Sequence, residues 1–449
     1  MSDMPQGWEA VGLGDLATPV RLGVDPASVP DLRYLGLEHI EAQTTKIQGS
    51  LPSSDVRSTS YRFVPGSTLY ARLRPYLNKV CTVDFEGIGS GEFMIFPPSP
   101  HLAPGFLKFL LNQPAFVHFT SLLDTGDRPR VNWDGIKNFA CGLPPLAEQR
   151  RIVAAIEEQL SRLDAAVAAL QRVEQNSKRM RVSLIHRLIT HNLPAECALS
   201  QLPDGWALTD LGSLIAEGPQ NGLYLPAHRY GNGVSILRIN DFQSDWVRPR
   251  EHLKLVNADP EQAKMFAVVP GDLIVNRVNS MSHLGKCIIV GEALAGALFE
   301  SNMMRIRLTD EIDGSYVALY LRSPLGRSLL LKNAKQAVNQ ASINQSDVRK
   351  TPIAIPPREE QTRIVSVYES ASGRLTRIVE DVHVNLRRSA SLRSSVLAAA
   401  FSGKLVDQDP TDEPASFLLE QIVAERASST SHRPPRFRQP RASREQITA

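Results

Sequence analysis

A chain of 449 residues and 49.5 kDa, 42% hydrophobic and 22% charged with a formal net charge of +3, has room for two to four domains and enough apolar mass to bury cores. No run approaches the ~18 apolar residues of a membrane span, and the acidic, polar start from Met1 to Glu9 argues against a signal peptide. Cys81, Cys141, Cys197 and Cys287 form no C-x-x-C pair, which disfavours a zinc ribbon or a disulfide scaffold and reads as free thiols in a reducing cytoplasm. The pI near 8.6 does not by itself imply nucleic acid.

Catalytic signatures are scarce. Gly285-Lys286 and Gly403-Lys404 are followed by Cys287 and Leu405, so neither opens a Walker A loop. No lysine has an acid two residues before it, as a common metal-dependent nuclease site requires. The Pro-Pro pairs follow Phe96, Leu143, Ile355 or Arg433, where an amino-methyltransferase would place Asn or Asp. There is no H-E-x-x-H and no G-x-S-x-G. His186 and His191 are five apart, off the i, i+4 face that would share a metal.

In chain order, the first 143 residues are short apolar runs broken by Gly, Pro, Asn and Asp, which predict a mixed domain of strands with few helices. Phe106 to Leu123 predicts a helix interrupted at Pro114. Residues 144–195 follow as a long helix. Pro144-Pro145 ends the last strand, Glu148 sits in the first turn, and no proline or glycine intervenes to about Asn192. Ile152, Ile156, Leu160, Leu163, Val167 and Leu170 recur at the spacing of a coiled-coil seam. Residues 200–355 repeat the mixed pattern, with a helix over Tyr316 to Lys332 broken at Pro324. Residues 356–406 repeat the long helix, with only Gly373 inside and a seam of Ile364, Tyr368, Ala371, Leu375, Ile378 or Val379, Val382 and Leu386. Some 45 residues make a rod of roughly 65–70 Å, which needs a partner rod. The twin helix, running antiparallel, is the nearest one. Residues 407–449 form a tail: a short helix over Phe417 to Ala427, then a Ser/Arg/Pro-rich stretch expected to be disordered from about 428. Its Arg433, Arg436, Arg438, Arg441 and Arg444 suit either non-specific nucleic-acid contact or simple solvation.

The chain is thus written twice. Met4-Pro5-Gln6-Gly7-Trp8 returns as Leu202-Pro203-Asp204-Gly205-Trp206. Val64-Pro65-Gly66 leads to Arg72 as Val269-Pro270-Gly271 leads to Arg277. The segment Leu143-Pro144-Pro145-Leu146-Ala147-Glu148-Gln149-Arg150-Arg151-Ile152-Val153 returns as Ile355-Pro356-Pro357-Arg358-Glu359-Glu360-Gln361-Thr362-Arg363-Ile364-Val365. The fold class expected is α+β: two similar mixed α/β domains, two long helices in an antiparallel coiled coil, and an internal pseudo-two-fold repeat.

These paired motifs, with the ending Ser395-Val396-Leu397-Ala398-Ala399-Ala400-Phe401-Ser402-Gly403-Lys404-Leu405-Val406 and the Asp412 to Ala415 segment, resemble the specificity (S) subunit of Type I restriction-modification enzymes over residues 1 to about 427. The resemblance implies a non-catalytic, cytoplasmic subunit with two target recognition domains, each reading one half of a bipartite, asymmetric site in double-stranded DNA. It implies helices that set the spacer. It also implies docking of two methyltransferase subunits and two restriction subunits, with S-adenosylmethionine, ATP and Mg used there and no cofactor or metal in this chain. Three alternatives remain open: a specificity subunit of a methylation-only or Type IIB-like system, a fused nuclease or methyltransferase with an unrecognised motif, and a helical scaffold without DNA contact.

Residues 1–143 carry 12 basic and 14 acidic groups and residues 200–356 carry 16 and 15, so any attraction for phosphate must come from local patches or partners. Candidate DNA contacts are Arg72, Arg74, Lys79, Arg128, Arg130 and Asn132 in the first domain. In the second they are Asn276, Arg277, Asn279, Lys286, Gln336, Asn339, Gln340 and Asn344. Arginine matches guanine edges, and Asn or Gln matches adenine. Arg72 and Arg277 occupy equivalent positions, which favours a structural or phosphate role, since base readers should differ between half-sites. Asn132 and Asn344, also equivalent, suit turn caps better than base contacts. Trp8, Trp206, Tyr61 and Trp133 read as core residues rather than stacking platforms.

Overall fold

The computed structural model describes residues 4–123, 127–193, 197–243, 246–338 and 340–430. The chain divides into two compact units, residues 1–169 with 385–449 and residues 170–384. Each unit holds one mixed domain, the first half of the long helix that follows it, and the second half of the other long helix.

In the first unit the strand Glu9–Gly12 pairs antiparallel with Ala140–Leu143. In the second, Ala207–Asp210 pairs antiparallel with Pro352–Ile355. The start of each domain is therefore zipped to its end, next to the Pro-Pro that begins the long helix. The Pro-x-Gly-Trp motif makes the turn into the first strand: Gly7 and Gly205 have φ of +81° and +79°, which a side chain would strain.

Behind this ribbon, the strand after each Val-Pro-Gly turn is the centre of an antiparallel sheet. Thr68–Ala71 lies between Val80–Thr82 and Phe93–Phe96. Leu273–Asn276 lies between Cys287–Ile289 and Met303–Leu308, with Ile215–Asn221 added at the edge. The central strands are buried on both faces, so they read as continuous apolar runs rather than alternating ones. A second, mixed sheet accompanies each. Its one parallel pairing is Arg33–Leu35 with Gly87–Ser90 in the first unit and Tyr230–Leu237 with Leu298–Phe299 in the second. The helices Phe106–Leu110 and Pro114–Leu122, and Gly314–Arg322 and Pro324–Leu330, cover the central sheets. Pro114 and Pro324 each stand at the first position of a new helix, where a missing N–H costs nothing.

The long helices span Leu146–Thr190 and Arg358–Phe401. Their first turns pack into the domains that precede them: Ile152 and Ile156 belong to the first core, Ile364 and Tyr368 to the second. Leu160, Leu375 and Val382 are buried further along, while Leu163, Val167, Leu170, Ala371 and Leu386 are half-buried, as befits a two-helix seam without a third rod. Val379 takes the inward place and Ile378 stays exposed. The pairing is antiparallel. In the second unit Glu174 faces His383 at 3.8 Å, and seven residues on, Arg181 donates to Thr376, seven residues back, at 2.8 Å. In the first unit Asp164 pairs with Arg393 of the second helix and with Lys46, the latter at 2.6 Å.

Past Gly403, whose φ of +69° ends the second helix in a left-handed cap, the chain returns to the first unit. Arg151 forks onto Asp412 at 2.6 and 3.3 Å, and the Ala415 N–H donates to the Gly7 carbonyl at 2.9 Å. The helix expected over Phe417 to Ala427 runs from Ala415 to Thr430, because Ala415, Leu418 and Ile422 bury against the first core and extend it beyond its apolar stretch. Disorder was expected from about 428, and Ser428 to Thr430 are helical. The arginines from Arg433 onward lie outside the described residues.

All four cysteines are free thiols. Among the described residues no helix is long and apolar enough to cross a membrane.

Candidate nucleic-acid interface

In both units the chain leaving the central strand meets the segment that leads to the last short helix. In the first unit the Arg72 N–H donates to the Glu92 carbonyl at 2.9 Å and the Arg72 carbonyl accepts from Val131 at 3.0 Å. In the second the Arg277 N–H donates to Asn302 at 2.9 Å and the Arg277 carbonyl accepts from Ile343 at 2.9 Å. Arg72 and Arg277 are thus matched backbone junctions, with Glu92 and Asn302 at matched positions beside them.

The first junction gathers arginines. Leu73 bridges Arg130, and the Arg74 N–H donates to the Pro129 carbonyl at 2.8 Å, so residues 72–74 lie along residues 129–131. Arg74 itself sits in the left-handed region, φ +52°, which turns its side chain out of the strand course. Glu92 stands between two of the arginines, 3.4 Å from Arg72 and 2.7 Å from Arg130. Arg74 and Arg128 are exposed, and no side-chain partner is recorded for either among the described residues. Tyr76, 46% exposed, follows. Lys79 turns away, its ammonium donating to the Leu37 carbonyl at 2.7 Å. Asn132 caps the helix Trp133–Ile136 by accepting from Gly135 at 2.8 Å.

The second junction gathers amides. Val278–Asn279 pairs with the strand Gln340–Ser342, which forms a hairpin with Lys335–Ala337. Register sorts the side chains by face. Asn279 and Gln336 share a row with Ala341, which is buried in the second core. Gln340 pairs with Ala337 and Lys335 with Ser342, on the opposite, open face. Asn339 lies outside the described residues. Arg277 spends one guanidinium nitrogen on the Ser301 carbonyl at 3.1 Å. Ser301 in turn donates to Leu223, which places the 78%-exposed Tyr224 beside this junction. Asn279 accepts from the next N–H at 2.8 Å, and Lys286 donates to Gln243. Asn276 is fully buried, with both amide atoms unpaired. Asn344 caps the helix Gln345–Arg349, accepting from Asp347 at 3.0 Å.

The structure thus brings together Arg72, Arg74, Arg128 and Arg130 in one unit, and Arg277, Asn279, Gln336 and Gln340 in the other. It sets Lys79 and Lys286 on intramolecular acceptors and Asn132 and Asn344 into caps. Trp8 is buried, its indole N–H donating to Glu148 at 2.9 Å, whereas its twin Trp206 is half-buried against the His191 ring at 4.9 Å. Sequence reasoning passed over Glu92 and Tyr224. Glu92 was findable as the acid just before the strand that pairs with the Arg72 strand, but Tyr224 carried no signal beyond its polar surroundings. Among the described residues no group of three or more His, Cys, Asp or Glu is placed to hold a metal ion.

Residues 203–379 match the family profile described as the Type I restriction modification DNA specificity domain. The chain is 28% identical over 349 residues to the Type I restriction enzyme StySPI specificity subunit of Salmonella potsdam, covering 74% of each chain. It is 27% identical over 358 residues to the EcoKI specificity subunit of Escherichia coli K12, covering 75% of this chain and 74% of that one. Residues 203–379 thus carry that family's DNA specificity domain, and the chain is similar to Type I restriction specificity subunits over about three quarters of its length. The resemblance carried by the two Pro-Pro-x-x-Glu-Gln motifs is borne out. The fold agrees as well. A chain in a solved structure of a type I R-M system superposes with a TM-score of 0.72 at 22% identity, over 90% of this chain and all of that one. The HsdS subunit of Thermoanaerobacter tengcongensis superposes with a TM-score of 0.50 at 22% identity, over 90% of this chain and 98% of that one. Relatives in this family are named as specificity subunits, not as the catalytic ones.

Proposed function

We propose that this specificity subunit reads a bipartite, asymmetric site in double-stranded DNA, each recognition domain taking one half, while the paired helices hold the two readings at a fixed spacing. The observation that carries the reading is the matched pair of junctions. One frame, built on Arg72 and Arg277, presents arginines in one unit and amides in the other. A common scaffold with unlike tips is what two different half-sites require, because phosphate contacts can be shared while base contacts must differ. The near-balance of charge in each domain means the chain alone supplies little counterion release, so partner subunits would contribute phosphate contacts.

The helices also offer docking area. Val173, Met180, Val182 and Ile378 are apolar and 41–61% exposed along them. We assign this surface and the returning C-terminal segment to two methyltransferase subunits and two restriction subunits, which would supply S-adenosylmethionine, ATP and Mg chemistry in the cytoplasm.

The test is a map of methylated adenines in DNA from cells with and without this chain. A two-part motif that disappears on deletion supports the reading, and an unchanged map defeats it. Cleavage of unmethylated DNA by the assembled complex separates a full restriction system from a methylation-only one.

A further inference from the structure

The register and the hydrogen bonds divide the fourteen candidate contacts into a frame and a small set of readers. A side chain whose polar atoms are spent inside the protein cannot also present a fixed hydrogen-bond pattern to a base edge. Lys79, Lys286, Asn132, Asn344 and Asn279 are spent in this way. Arg72 and Arg130 are held by Glu92, and Arg277 by Ser301. Asn276 is buried, and Gln336, though exposed, stands in the row of the buried Ala341 rather than on the face that Gln340 shares with Lys335. Arg74 and Arg128 in the first unit, and Gln340 on the open face of the hairpin in the second, meet three conditions at once. They are exposed, they have no side-chain partner recorded among the described residues, and they are unlike at the two junctions.

Resting on the proposed function, we propose that Arg74 and Arg128 read guanine in the half-site taken by the first domain and that Gln340 reads adenine in the other half. The guanidinium fork matches the O6 and N7 acceptors of guanine, and the glutamine amide matches N6 and N7 of adenine, both in the major groove. Backbone anchors support each reader. Arg74 is pinned through its own N–H to Pro129, one residue from Arg128, so the two forks come from adjacent segments of chain. Gln340 stands opposite Ala337 at the tip of the hairpin, at the end of the middle strand of a three-stranded sheet, and Lys335 on the same open face is placed to meet phosphate. Glu92 serves as a positioning residue: by holding Arg72 and Arg130 it keeps two cations from competing for the bases and leaves the outer pair to read them.

The experiment selects DNA from a randomised duplex library with the full chain, purified natively from cells that make it together with any subunits bound. Wild-type protein is expected to enrich a two-part motif with guanine in one part and adenine in the other. Arg74→Ala and Arg128→Ala are each expected to cut guanine preference at one position about ten-fold and leave the other part intact. Gln340→Ala is expected to do the same for adenine in the opposite part. Arg128→Lys separates reading from attraction. It keeps the charge and the salt dependence of binding, and is expected to lose the guanine preference, whereas a residue that only touches phosphate would keep both. If wild type enriches a two-part motif and these variants preserve it, the assignment of readers is wrong while the proposed function stands. If wild type enriches no motif, the proposed function fails and the assignment with it.

Discussion

Gln149 and Gln361 make the same two hydrogen bonds in the two units. Each amide NH2 donates to the carbonyl of the first proline of its Pro-Pro pair, Pro144 at 3.0 Å and Pro356 at 2.9 Å. Each amide oxygen accepts a backbone N–H at the start of the domain's helical layer, Ala103 at 3.0 Å and Asp313 at 2.8 Å. Both side chains are buried. The glutamine of the repeated motif therefore bolts the rod to its domain at the point where the chain turns from strand to helix.

Replacing either glutamine by leucine leaves a buried carbonyl and a buried N–H without partners, at about 1–3 kcal/mol for each group. Gln149→Leu is expected to speed hydrogen exchange of the Ala103 amide and lower the stability of the first unit by about 2–6 kcal/mol. Gln361→Leu does the same at Asp313 in the second. Unchanged exchange at the named amide in either variant would show that the clamp holds nothing.

Glu148, beside Gln149, accepts from Trp8 with its other oxygen buried and unpaired. Burial raises its carboxyl above the ordinary range, against the pull of the Trp8 hydrogen bond and Arg151. The folded state then holds this proton more tightly than the unfolded chain does, so the group favours folding at low pH and loses that advantage as pH rises through the folded value. Glu148→Gln keeps an acceptor for Trp8 and removes the charge. The variant is expected to equal or exceed wild-type stability at pH 7–8, and the gap should close as pH falls through the carboxylate range. Denaturant midpoints across pH read this directly. A variant less stable than wild type at pH 8, by more than at pH 4, would contradict it.

Asp164 joins three parts of the first unit: the first long helix that carries it, Arg393 of the second, and Lys46 from the mixed domain. It is 27% exposed, so solvent screens the pairs and removing it is expected to cost about 1 kcal/mol. Its value is directional. In a cycle of Asp164→Ala, Arg393→Ala and the double variant, the coupling should be favourable by about 0.5–1 kcal/mol. The exchange Asp164→Arg with Arg393→Asp should recover part of the loss from either change alone. No coupling would mean that the antiparallel register at this turn is held by the apolar seam only.

Much of this was legible in the sequence because repetition marks what the fold needs twice. The Pro-Pro breaks, the proline-interrupted helices and the seam residues each appear in both copies at nearly constant offset, and each has a local cause that a sequence displays. What repetition cannot show is how a side chain is spent. Asn132 and Asn344 suit turn caps better than base contacts in the sequence, but only the placed N–H groups of Gly135 and Asp347 show the side chains spent there. Gln336 and Gln340 look alike in sequence, and only the strand register puts one beside buried Ala341 and the other on the open face. The C-terminal helix was underestimated for a similar reason: Ser428 to Thr430 have no apolar pattern of their own and are carried by a helix anchored upstream at Ala415, Leu418 and Ile422.

Gly142 shows how closely the opening and closing strands of the first domain depend on each other. It pairs with Ala10 in the ribbon, and a methyl group on it would lie 2.6 Å from the Trp8 ring. Trp8 cannot back away, because its N–H is tied to Glu148 and its ring is packed into the core with Leu143. Gly142→Ala is therefore expected to force Trp8 off its site, at about 1–3 kcal/mol of overpacking, and to weaken the Glu148 hydrogen bond with it. Tryptophan fluorescence should shift in the same variant, and Trp8→Leu in the Gly142→Ala background should recover part of the stability by making room. If Gly142→Ala alone leaves both stability and fluorescence unchanged, the strand ribbon is slack enough to absorb a methyl group. The close packing of Trp8 on it would then not be what fastens the domain's two ends.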